Sequence, residues 1–135
     1  MRIRDNQRRQ LLQTAETNIF PAVKEHLLQV QPGLAESVPP EELDRRIRNG
    51  IARAVDYGIT LVAGVASFVG LMFEIAPNFD EQPGIALALA DPFFDANQRI
   101  MHLPLHTTDE DWQHAVLSYD AAAWDRRTKP PVSGD

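Results

Sequence analysis

Apolar residues recur along this chain at three- and four-residue steps, a period that predicts amphipathic helices; no segment shows the two-residue alternation of a strand. Over residues 5–30 the apolar series is Leu11, Leu12, Ala15, Ile19, Val23, Leu27 and Val30, with Asp5 as the N-cap. Pro21 lies inside this pattern and should kink or split the helix near Asn18–Phe20, because it removes one backbone donor. Pro32-Gly33 then stops it.

Residues 40–57 form the clearest predicted helix. Pro39-Pro40 stands where a missing N–H costs nothing, Glu41 and Glu42 favour the N-terminal dipole, and Leu43, Ile47, Ile51, Ala54 and Val55 line one face. Three acid–base pairs, Glu41–Arg45, Glu42–Arg46 and Asp44–Arg48, have the favoured four-residue spacing, and Gly58 is the stop. Residues 60–75 are almost wholly apolar, with Thr60 as cap and Pro77 as terminator. The uncharged run Ile59–Phe73 is 15 residues long, short of the ~20 needed to span a bilayer. It carries Gly64, Ser67 and Gly70 and has no basic flanks, which fits a buried central helix whose small residues admit close neighbours. Residues 77–84 read as a loop. Short helices follow over 85–90 and 93–102, split by Asp91-Pro92, and 104–107 is a connector. A last helix is predicted over 109–127, opened by a capping box of Thr108 and Asp111, with Trp112, Val116, Tyr119 and Ala123 on one face.

The predicted architecture is all-α: a compact orthogonal bundle of about five helices around a buried apolar central helix. Residues 1–127 make a single helical domain and 128–135 a disordered tail. A length of 135 residues suits one domain, and 44% hydrophobic with 24% charged residues is globular composition. There is no cysteine, which excludes disulfides, thiolate metal sites and a cysteine nucleophile.

Charge narrows the partners. The net charge is −6, opposite to what phosphate recognition needs, so nucleic acid is not an expected partner. Residues 1–57 carry a net +1 and residues 58–135 a net −7, a polarity suited either to two differently solvated faces or to orienting a protein partner. The start MRIRDNQRRQ has no apolar signal region, so a cytoplasmic location is expected.

No segment carries a convincing catalytic or ligand constellation. His102 and His106 have the four-residue spacing of a metal pair, but Pro104 lies between them and no adjoining Glu completes a metallopeptidase motif. Asn78, Asp80 and Glu81 do not follow calcium-loop spacing. Ser67 lacks a nucleophile elbow, and its hydroxyl is expected to bond back to the preceding turn. No metal or cofactor is expected. Trp112 and Tyr119 read as core. Trp124, off their stripe and beside Arg126 and Arg127, reads as an exposed anchor for a partner. The basic arm of Arg2, Arg4, Arg8 and Arg9 reads as a solvated helix end or as a contact for an acidic partner.

Three stretches, MRIRDNQ, RNGIARAVDYGIT and FVGLMFEIAPNFDEQP, add a resemblance. Through Ile3, Arg4, Gln7, Tyr57, Gly58, Ile59, Phe68, Leu71, Met72, Phe73, Pro77, Phe79 and Asp80, most of residues 1–83 resembles small helical proteins encoded in bacterial type VI secretion effector clusters. The chain departs from that pattern at Val62, Ala63 and Gly64, where charged residues are expected; an apolar exposed patch should result. The resemblance implies a protein-interaction module and not an enzyme: an accessory or co-chaperone that loads or stabilises an effector with its adaptor. The alternative is a cytoplasmic immunity protein that neutralises a cognate toxin. Arg4, Arg8, Phe79, Asp80, Trp124 and Arg126 are the expected partner-binding residues.

Overall fold

The computed structural model describes residues 17–130. Arg4 and Arg8, with the rest of the basic arm and Asp5, lie outside the described residues. Helix α1 occupies 17–30 and continues through Pro21 without a split. It is followed by α2 (Leu34–Ser37), α3 (Pro40–Asp56), α4 (Val62–Glu74), α5 (Pro83–Leu89), α6 (Ala96–Met101) and α7 (Asp109–Leu117). Single 3₁₀ turns stand at Phe79–Glu81, Leu103–Leu105 and Ala121–Asp125. The fold is all-α, with no strand among the described residues and five helices of seven residues or more.

The broadest helix–helix contact is between α3 and α4. Ile47, Ile51 and Ala54 of α3 face Val65, Phe68, Val69 and Met72 of α4, all fully buried. Phe68 sits at the centre, its ring 5.5 Å from Tyr57 and 5.0 Å from Phe79, which in turn stacks 6.3 Å from Trp112. Each such ring contributes about 1.5–3 kcal/mol by leaving water. Among the described residues, no helix is long and apolar enough to cross a membrane.

The turn between α3 and α4 works as the sequence suggests. Gly58 takes φ +93°, while its N–H bonds to Val55 O and that of Ile59 to Ala54 O. This is the two-bond helix stop that a left-handed residue permits. The cap of α4 differs from expectation. Its N-cap is Leu61, and Asn97 of α6 supplies the missing acceptor: Asn97 Oδ1 receives the N–H groups of Thr60 and Leu61, each at 3.0 Å. At α7 the Thr108–Asp111 capping box forms in full.

Of the three acid–base pairs expected on α3, Glu42–Arg46 forms at 2.6 Å. Arg45 also turns to Glu42, at 2.7 Å; Asp44 pairs with Lys24 of α1 at 2.8 Å, and Arg48 lies 4.4 Å over the Phe20 ring. Hydrogen bonds from Arg45 and Arg46 hold the Glu42 carboxyl down at about 2, against an ordinary 4.5. A depressed carboxylate stabilises the fold above its unfolded pKa and loses that contribution as pH falls through the folded value. The melting-temperature gap between the native chain and Glu42→Gln should therefore be present at pH 7 and close between pH 4.5 and about 2. The side chain is about 30% exposed, so the gap is a small one, typical of a surface pair.

The largest departure lies at the C-terminal end. The helix expected over 109–127 stops at Leu117, and the chain continues through an irregular stretch into the turn Ala121–Asp125. The break resets the helical stripe. Tyr119, expected in the core, is 52% exposed, and Trp124, expected outside, is 4% exposed. Lys129 N–H bonds to Asp56, and 131–135, the rest of the expected tail, lie outside the described residues.

Candidate functional site

The groove with the strongest claim to function opens between α1, α4 and α6 and encloses about 270 Å³. Its floor is the small-residue face of α4, where Ala66, Ser67 and Gly70 follow one another at helical spacing. One wall is the last two turns of α1, with His26, Leu27 and Val30. The other is the end of α6 and the turn after it, with Met101, Leu103 and Pro104. Trp112 closes one side, its ring held by an Nε1–H bond of 2.9 Å to Thr107 Oγ1.

Two contacts set the width of this groove. Gln31 Nε2 donates to Gly70 O at 3.1 Å and ties α1 to α4. Ser67 Oγ lies 3.8 Å from Met101 Sδ and links the floor to the opposite wall. The serine hydroxyl thus reaches across to α6 and does not bond back within its own helix. Val30 and Met101 are 59% and 52% exposed, so both rims present apolar side chains to solvent. Methionine is the side chain best able to adapt to an irregular apolar guest. Leu61 and Val62 extend apolar exposure to the start of α4, at 61% and 41%. The apolar patch expected at Val62, Ala63 and Gly64 is therefore present at the first two. Gly64 is buried, and a Cβ there would meet Ile59 Cγ2 at 2.8 Å.

Of the residues expected to bind a partner, the four described lie elsewhere, and three of them are inside the molecule. Phe79 and Asp80 are fully buried. The Asp80 carboxylate receives Arg53 Nη1 at 3.1 Å and the Tyr57 hydroxyl at 2.8 Å. Arg53, 1% exposed, gives its remaining N–H groups to backbone carbonyls: Pro77 and Ala123 at 2.6 Å each, and Arg126 at 3.3–3.4 Å. Burial lowers the Arg53 guanidinium from its usual value, and the facing Asp80 opposes that shift. Burial likewise pushes the Tyr57 phenol well above its ordinary range, reinforced by Asp80. Trp124 is a core residue, not an exposed anchor: its ring lies 4.7 Å from Phe73 and beneath the Arg46 guanidinium at 4.6 Å, and its Nε1–H donates to Tyr119 Oη at 2.9 Å. Arg126 is engaged within the chain, by Glu81 and by Asp120.

Arg53 was absent from the sequence-level candidates, yet a signal for it existed. Asn49, Arg53 and Tyr57 follow at four-residue steps beside the apolar stripe of α3, and all three reach buried partners. His102 and His106 come together with ring centroids 6.4 Å apart, and Phe94 lies 5.5 and 5.4 Å from the two rings. Among the described residues, no group of three or more His, Asp or Glu has the arrangement to hold a metal ion.

The arrangement defines a helical domain with an apolar groove on one face and a buried polar clamp near its C-terminal end. No protein-family model matches the chain, and neither a curated protein nor a solved structure does.

Proposed function

We propose that this chain is a non-enzymatic protein-interaction module whose α1–α4–α6 groove receives an apolar helical segment of a protein partner. The observation that carries the reading is the groove itself: a floor of small residues between two apolar rims. That is the shape a helix needs to approach another backbone closely. Of its polar lining, Gln31 and Ser67 are already occupied in holding the walls together, and His26 and Glu74 complete it.

The resemblance of residues 1–83 supports the more particular reading. The chain acts as a cytoplasmic accessory or co-chaperone that stabilises a type VI secretion effector with its adaptor. The immunity alternative draws on a different feature, the net charge of −7 over residues 58–135, which would suit a basic toxin surface.

The test is recovery of the native partner by tagged chain, with and without a filled groove. A Cβ at Gly70 would have Gln31 Nε2 as its nearest neighbour, at 3.9 Å, so Gly70→Leu projects into the groove without a clash at its base. Leucine in place of glycine also favours the helix. The variant should melt no lower than the native chain and recover at least about tenfold less partner. Recovery of an adaptor or chaperone by the native chain supports the loading role. A toxin domain alone, in equal ratio, supports immunity. Recovery of neither, or undiminished recovery by Gly70→Leu, overturns the respective part of the proposal.

A further inference from the structure

The segment 118–130 is bound to the rest of the molecule as a peptide ligand is bound to a receptor. It contains no α-helix, and of its residues only Ala123 and Trp124 are buried. Side chains of the body address its backbone. Asn49 donates to Trp124 O at 2.9 Å, Arg53 to Ala123 O and Arg126 O, and Asn78 to Ser118 O at 2.9 Å. In the other direction, Asp120 N–H donates to Asn78 Oδ1 at 3.0 Å and Lys129 N–H to Asp56 at 2.8 Å. Main-chain hydrogen bonds of this kind hold a segment whatever its sequence, and pockets for particular side chains supply selectivity. Here the buried positions are a small residue at Ala123 and an aromatic anchor at Trp124 against Phe73, flanked by surface ion pairs of Asp125 with Arg45 and of Arg126 with Glu81.

We propose that residues 118–130 are a tethered ligand that opens from the body as a unit, uncovering a slot selective for a small residue followed by an aromatic one. Part of the slot's polar core is made within the body and persists on opening. Arg53 keeps Asp80 and Pro77 O, and Asp80 keeps Tyr57. On opening, the guanidinium exchanges the carbonyls of Ala123 and Arg126 for water. Local units held by few buried apolar contacts open at lower free energy than the core.

Hydrogen exchange on the full native chain is the first test. Amides of 118–130 should exchange at least about tenfold faster than those of α3 and α4, by openings that leave α3 and α4 protected. Exchange of both regions only together would overturn the proposal. The second test adds a synthetic peptide of residues 118–130 to full-length Trp124→Ala. The peptide should bind that variant saturably, bind the native chain at least about tenfold more weakly because its own segment is in place, and fail to bind either when its tryptophan is replaced by alanine. Equal binding to both chains, or none to either, would count against a ligand slot. If Trp124→Ala unfolds, Asp120→Ala decides. It removes the acceptor for Ala122 N–H and the partner of Arg126, and should speed exchange over 118–130 while leaving α3 unchanged.

Discussion

Replacing Arg53 with methionine should lower stability by about 3–5 kcal/mol, the cost of leaving one half of a buried ion pair behind. Asp80 is fully buried and would keep only the Tyr57 hydroxyl among its hydrogen-bonding partners. The carbonyls of Pro77 and Ala123 would each lose a donor at 2.6 Å. The length of the methionine side chain limits the cavity term, so the loss reports the polar network and not missing volume. Urea denaturation measures it as a shift in midpoint at constant slope. The double variant Arg53→Met/Asp80→Leu should recover part of the loss, because it removes both charges instead of stranding one. A single variant as stable as the native chain would show that the clamp adds no net stability.

The helical part of this fold was legible because its cause is local. The three- and four-residue stripe of α3, the apolar run of α4, the glycine stop at Gly58 and the Thr108–Asp111 box are each decided within a few residues. The C-terminal end was not legible, because its cause is distant. Nothing between Trp112 and Trp124 forbids a continuous helix. The chain leaves it because Asn78 takes Ser118 O and Asp120 N–H, and Arg53 takes Ala123 O, across separations of 40 to 70 residues. Tertiary hydrogen bonds of this kind override a propensity worth only tenths of a kcal/mol per residue. The groove was half legible. The small residues of α4 announce a close approach, but only the fold reveals that α1 and α6 flank Ala66–Gly70 and leave that face open.

The same lesson separates the two readings of Phe79. It is one of the residues expected with the resemblance to contact a partner. Its ring is fully buried, 5.0 Å from Phe68 and 6.3 Å from Trp112, where the 3₁₀ turn Phe79–Glu81 leads from α4 into α5 and packs against α7. Phe79→Ala should therefore cost about 3–5 kcal/mol, the range for emptying a buried aromatic site. A surface contact would instead cost within about 0.5 kcal/mol of nothing. The two outcomes are far enough apart for a single thermal melt to distinguish them. Near-UV circular dichroism would add the reason, since loss of the Phe79 ring removes the packing partner of Trp112 and should flatten its signal. A variant that melts with the native chain and keeps that signal would return Phe79 to the surface and remove the central ring stack from the core.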